Sequence, residues 1–252
     1  MNFQKYKPNF DRDGFVVIPQ FLTGAEFVDL ANNLDRYIRN VVPGLPDSQA
    51  FYHDKSQPAT LKQLQHMGHD KFFANYEKHP RWSALAETLL GEPVDVRQQP
   101  EWFNKPPATD HPTPPHQDNH YFSINPPNAM TAWLALDPVD LENGCLRYIA
   151  GSHHTGRRPH SATRLLGFSQ GITNYGPDDE ERETAVELQQ GDLVVHHCET
   201  IHRADPNRST TRHRRAFAMV FFGHSCCPDE ESRKNYAAEL QQQHESLGLD
   251  TD

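Results

Sequence analysis

Apolar positions recur with a helical period early in the chain and in short, strand-like runs later. Asp13-Gly14-Phe15-Val16-Val17-Ile18 predicts a short strand after a turn. Thr23 then precedes a segment in which Phe27, Leu30, Ala31, Leu34 and Ile38 share one helical face. Glu26, three residues after Thr23, predicts a capping box, with the helix running to Ile38. A second helix is predicted over 82–90, stopped by Gly91. The stretch 51–71 is polar and shows neither period.

From Val94 the texture changes. Short apolar runs at 94–97, 130–136, 145–149, 185–188, 193–197 and 216–222 are separated by Pro, Gly, Asn and Asp. Short strands between turn signals predict an all-β sandwich or barrel. A polar helix is expected over 229–247, with Ala237 and Leu240 as its few apolar anchors. No internal repeat or low-complexity linker interrupts the pattern, so residues 1–252 read as one domain, with helices packed on a β core.

Composition narrows the class. A net charge of −10 argues against non-specific nucleic-acid binding and against anionic membranes. The absence of a long apolar run and the polar start MNFQKYKPNF predict a cytoplasmic protein without a membrane span. Cys145, Cys198, Cys226 and Cys227 form no CxxC pair and are expected to be reduced thiols.

The chemistry lies in two histidine clusters. His116-Gln117-Asp118 follows Pro112-Thr113-Pro114-Pro115, and His196, His197 and His202 lie far downstream. Residues i and i+2 of a strand share a face, so His116 and Asp118 are expected to point inward and Gln117 outward. With one distant histidine they make a 2-His-1-carboxylate set suited to non-haem Fe(II). On spacing alone His196, His197 and His202 all remain candidates. So does a second set, His196, His197, Glu199 and His202, which would imply a cupin-type metalloenzyme that does not use 2-oxoglutarate. An arginine run follows. If Arg214 faces inward, Ala216, Ala218 and Val220 do too, while Arg215, Phe217, Met219 and Phe221 face outward. A guanidinium on the roomier face suits a carboxylate ligand, held by two parallel hydrogen bonds.

These residues occur within a longer ordered series. It runs from Asp13-Gly14-Phe15 through Asn104-Lys105-Pro106-Pro107, His116-Gln117-Asp118 and His120-Tyr121-Phe122. Thr131-Ala132-Trp133, Asn143-Gly144-Cys145, Gly151-Ser152-His153, Gly191-Asp192, His202, Asn207, Ser209 and Arg214-Arg215-Ala216 continue it. The series resembles the phytanoyl-CoA dioxygenase family of Fe(II)/2-oxoglutarate-dependent oxygenases. The resemblance implies a mainly β, α+β fold: a double-stranded β-helix (jelly roll) core with flanking N-terminal and C-terminal helices. It also implies His116, Asp118 and His202 as metal ligands. Arg214, Trp133 and Lys62 are implied at the 2-oxoglutarate site, with Fe(II) and O2 as the other participants. The chain departs from the family pattern at two places. The stretch from Ser209 to Arg214 is one residue longer, which leaves Arg212 or Arg215 as alternatives to Arg214. Ala204 replaces a hydroxyl residue often found two positions after the distal histidine.

The implied reaction is hydroxylation of a C–H bond with release of succinate and CO2. Asp118 favours it over halogenation, because halogenating relatives carry a small residue there. The substrate is expected to be a small polar metabolite, met by His120, Asn119, Tyr121 and Arg157. A non-catalytic metabolite-binding sensor is the other alternative.

Overall fold

The computed structural model describes residues 2–162 and 170–247. Two antiparallel sheets face each other. The larger has eight strands. Its order is Phe15–Ile18, Leu193–His197, Ala129–Ala135, Arg214–Gly223, Glu101–Lys105, Leu61–Leu64 and Ala50–Tyr52, with Val94–Asp95 pairing the far end of Arg214–Gly223. The smaller runs Glu183–Val186, Leu146–Ile149, His202–Ala204 and Thr113–His116. The architecture is a jelly roll with helices on the outer face of its larger sheet.

The strand Arg214–Gly223 shows why the layers form. Phe217, Met219 and Phe221 enter the core shared with the helices, alongside Leu30, Leu34, Phe73, Trp82 and Leu85. Ala216 and Ala218 turn to the opposite face and join Trp133 and Leu146 between the sheets. Alternation of large and small residues thus fills one side densely and leaves room on the other.

The helix Gly24–Asn40 buries Leu30, Leu34 and Tyr37. Its expected capping box does not form. Thr23 makes no side-chain cap bond, and Glu26 accepts two hydrogen bonds from Arg81, at 2.7 and 2.8 Å. A bidentate guanidinium is the stronger partner, and the pair ties this helix to Pro80–Leu90. That second helix ends, as expected, with Gly91 in a left-handed conformation. The first strand begins at Phe15, because Asp13 closes a short helix, Lys7–Asp13, that the apolar pattern did not announce. The featureless stretch 51–71 holds the strands Ala50–Tyr52 and Leu61–Leu64, which extend the large sheet. The C-terminal helix spans Glu230–Leu247. Ala237 is exposed on it, and the Leu240 side chain lies outside the described residues. Tyr236 is its contact instead, with its ring against His120 and Tyr121. All four cysteines are free. No helix among the described residues is long and apolar enough to cross a membrane.

Gly191-Asp192 sets the entry to the strand Leu193–His197. Gly191 sits at φ +86°, and a Cβ there would stand 2.2 Å from the Leu22 carbonyl oxygen. Asp192 accepts from the Gln20 and Gln189 amides, both at 2.8 Å. Gly191→Ala is therefore expected to cost at least about 1–3 kcal/mol from backbone strain alone, read as a lower denaturant midpoint with an unchanged slope.

Candidate active site

The strand Thr113–His116 ends at His116. Asp118 leaves it and stands at the start of the short helix Asn119–Phe122. The expectation that both residues ride one strand is thus corrected. The turn still brings Asp118 back toward His116, and Gln117 points away, its amide donating to the backbone and side chain of buried Glu199. Across the small sheet, His202 is the register partner of His116. That pairing sets the two imidazole centroids 4.2 Å apart.

Each of these two rings is fixed by its Nδ1. His116 Nδ1 lies 2.8 Å from the Pro114 carbonyl and His202 Nδ1 lies 3.0 Å from the Thr200 carbonyl. Donation to a carbonyl selects the tautomer with its lone pair on Nε2. Both Nε2 atoms stand 3.6 Å from Oδ1 of Asp118. That is too long for a hydrogen bond, yet the three ligand atoms lie within 4.8 Å of one another. The other carboxylate oxygen is taken: Thr131 Oγ1 donates to Oδ2 at 2.5 Å, and His196 Nε2 lies 3.1 Å from it. Burial works against the Asp118 charge, but the neighbouring His202, His116 and His196 outweigh it and hold the carboxyl well below its usual range. Burial, then the neighbouring His116 and His196, keeps His202 neutral. A neutral imidazole at His202 and an ionised carboxylate at Asp118 are the states a cation requires, and the Nε2 of His116 completes a donor set that fits one.

The alternative histidines are placed elsewhere. His196 has both ring nitrogens engaged, Nδ1 with the Tyr148 hydroxyl at 3.0 Å and Nε2 with Asp118. His197 packs against His153 and Phe10. Glu199 is bonded to Gln117 and Asn119. The set His196, His197, Glu199 and His202 is therefore dispersed.

The three residues open on a cavity of about 540 Å³ between the sheets, which Trp133, Lys62 and Arg214 also line. Arg214 is buried, its guanidinium carbon lies 5.2 Å from the Trp133 ring centroid, and its Nε has no hydrogen-bond partner among the described residues. Desolvation pulls it down to about 10, so it remains a cation at neutral pH. Arg212 and Arg215 are spent on Asp140 with Glu142 and on Asp137, respectively. Arg212 also lies before the strand begins, and Arg215 is on its outer face. Asn207 fixes the approach, donating to the Lys105 and Arg212 carbonyls at 2.8 and 2.7 Å. Ala204 is buried in the apolar cluster beside Ala216. Burial lowers the Lys62 ammonium.

Of the residues expected to meet substrate, Tyr121 lines the cavity, with its hydroxyl donating to the Gln170 carbonyl at 2.9 Å. The other three do not line it. Asn119 spends its amide on the Ile124 carbonyl and Glu199. Arg157 bridges the Asn119 carbonyl and Ser232, pinning the C-terminal helix. His120 turns to Gln170 and stacks on His160 with centroids 4.3 Å apart. The expectation for His120 rests on a strand that would give it the face of Asp118, and the helical turn after Asp118 redirects it and Asn119, whereas Arg157, expected on a loop near the mouth, is drawn from that loop to Ser232. Sequence reasoning missed Thr131, although it shares a strand face with Trp133. It also missed Lys105, Glu101 and Gln63 in the cavity wall.

Known proteins resemble this chain. The phytanoyl-CoA dioxygenase (PhyH) family model matches residues 10–216. Human peroxisomal phytanoyl-CoA dioxygenase is 28% identical over 229 residues, covering 86% of this chain and 67% of its own. Among solved structures, the epimerase SnoN in complex with Fe3+, alpha ketoglutarate and nogalamycin RO superposes with a TM-score of 0.71. It shares 22% identity and covers 90% of this chain and 85% of its own. EctD from S. alaskensis, with 2-oxoglutarate and 5-hydroxyectoine, gives 0.70 at 17% identity, covering 88% and 76%. The match spans both histidine clusters and ends just after Arg214, so the chain that builds this cavity belongs to the phytanoyl-CoA dioxygenase family.

Proposed function

We propose that this chain is an Fe(II)/2-oxoglutarate-dependent dioxygenase that hydroxylates a C–H bond of a small polar molecule. The observation that carries this reading is that one cavity holds both a converging His116, Asp118 and His202 and a buried arginine. Fe(II) bound there, with 2-oxoglutarate and O2, would supply the oxidising power, the co-substrate leaving as succinate and CO2.

The protein's part is placement and exclusion of water. His116 and His202 present Nε2, and Asp118 presents Oδ1. Thr131 and His196 hold Oδ2 and prevent the carboxylate from turning. Arg214 offers a forked donor to the far carboxylate of the keto acid, braced by the face of Trp133. Lys62 adds positive charge to the same wall. Burial of Arg214 keeps that ion pair in a low-dielectric setting, where it is strong. An intact Asp118 fills the position that halogenating relatives leave open, which favours hydroxylation.

The test is succinate release from 2-oxoglutarate under air with Fe(II), followed by a metabolite library scored for stimulation. A protein that binds both metal and keto acid yet forms no succinate would overturn the proposal. His196→Ala, which removes a partner of the Asp118 carboxylate, is expected to weaken metal affinity about 10–100-fold. Competition against a chelator measures it.

A further inference from the structure

The oxygenase reading uses the metal ligands and the Arg214 end of the cavity and leaves the wall around Glu101 unexplained. At the Arg214 end, Arg214 pairs across strands with Lys105. Lys62 and His53 sit close enough to Lys105 and to each other for mutual repulsion. Four residues along the same strand from Lys105, roughly 13 Å at strand rise, stands Glu101. Two-residue alternation puts it on the face of Phe103 and Lys105, and all three line the cavity. Its cross-strand partner is Ala218, which pairs in turn with Trp133. Two strand spacings, roughly 10 Å, separate it from Trp133 on the strand that also carries Thr131, and it lies near enough to Asp118 for the two carboxylates to repel.

The surroundings of Glu101 are organised around its carboxyl. Gln98 donates to Oε1 at 2.6 Å and Gln63 to Oε2 at 3.2 Å. Among the described residues no cation pairs with it. Desolvation lifts it to about 7 in spite of the two amides. A carboxylate is acceptor-only once ionised, and leaving its charge uncompensated away from water is costly. Phe103, two residues along the same face, adds an aromatic surface that favours a cation.

We propose that Glu101, Gln63 and Gln98 form the substrate subsite, and that the substrate carries a protonated amine seated on Glu101 beside Phe103. This rests on the oxygenase reading for what happens to the amine, though its binding can be read separately. An anionic substrate would be repelled here and would compete with the keto acid at the Arg214 end. A neutral alcohol would satisfy hydrogen bonds but would not favour the ionised carboxylate over the protonated acid.

Three probes of one shape separate these cases: cyclohexylmethylamine, cyclohexylmethanol and cyclohexanecarboxylate. They are titrated calorimetrically into the protein loaded with 2-oxoglutarate and Zn(II) as a redox-inert stand-in. The amine is expected to bind tightest, and Glu101→Gln to weaken it roughly thirty-fold or more, as loss of one partner from a buried charge pair does. Equal binding of the three, preference for the acid, or an amine affinity untouched by Glu101→Gln would overturn the subsite. If Glu101→Gln melts early, the wild-type ranking of the probes decides alone. Succinate release by the wild type across the metabolite library tests the oxygenase reading separately. Its absence sinks that reading, while the probe ranking still decides the subsite.

Discussion

Asp118→Ala is expected to abolish 2-oxoglutarate turnover, a loss well beyond the roughly 10–100-fold typical of removing a group that only supports a metal ligand. The carboxylate provides the anionic member of the set, and its Oδ1 is the atom both Nε2 groups approach. The cavity and its other lining residues remain, so the fold is expected to survive. His196 and Thr131 each lose a partner but border the cavity, where water can replace it. Succinate formation and metal content are measured together. A variant that forms succinate like the wild type would refute the assignment of Asp118, and one that unfolds would show up in its melting curve.

Arg214→Met should separate function from stability. The keto acid loses its forked partner, and its KM is expected to rise by more than about thirty-fold, the cost of breaking a buried charged contact. Without ligand the outcome has the opposite sign. The Arg214 cation is desolvated and its Nε has no hydrogen-bond partner among the described residues, so folding carries a cost that methionine removes. The unliganded variant is expected to melt no lower than the wild type, whereas 2-oxoglutarate should raise the melting temperature of the wild type alone. A variant with a wild-type KM would move the anchoring role away from Arg214.

The cavity face of the arginine strand was legible because a strand's two faces are fixed by parity, a local property. Ala216 and Ala218 against Phe217, Met219 and Phe221 could be assigned from spacing, and the packing agrees. The helix Gly24–Asn40 was legible for the same kind of reason, from its 3.6-residue period. Its cap was not. Glu26 had two possible partners, and the one that won, Arg81, belongs to another helix. The substrate wall was the least legible part. His120 shares the face of Asp118 only on an extended strand, and one helical turn after Asp118 sends it and Asn119 elsewhere, while Arg157 is held away from the cavity by Ser232 of the C-terminal helix. Glu101 lay in a stretch with too short a pattern to mark which way it faced.

The sequence by itself determined the chemical inventory: two imidazoles, a carboxylate and an arginine, in family order, on segments whose inward faces follow from parity. It left three histidines open as the distal partner until the resemblance favoured His202. Only the tertiary structure decided which imidazole lies opposite His116, because that depends on the register between two strands distant in the chain, set by sheet pairing rather than by either segment. The same holds for the acidic end of the cavity. Glu101 acquires its surroundings from Gln63 and Gln98 on neighbouring segments, and no local pattern encodes a meeting of that kind.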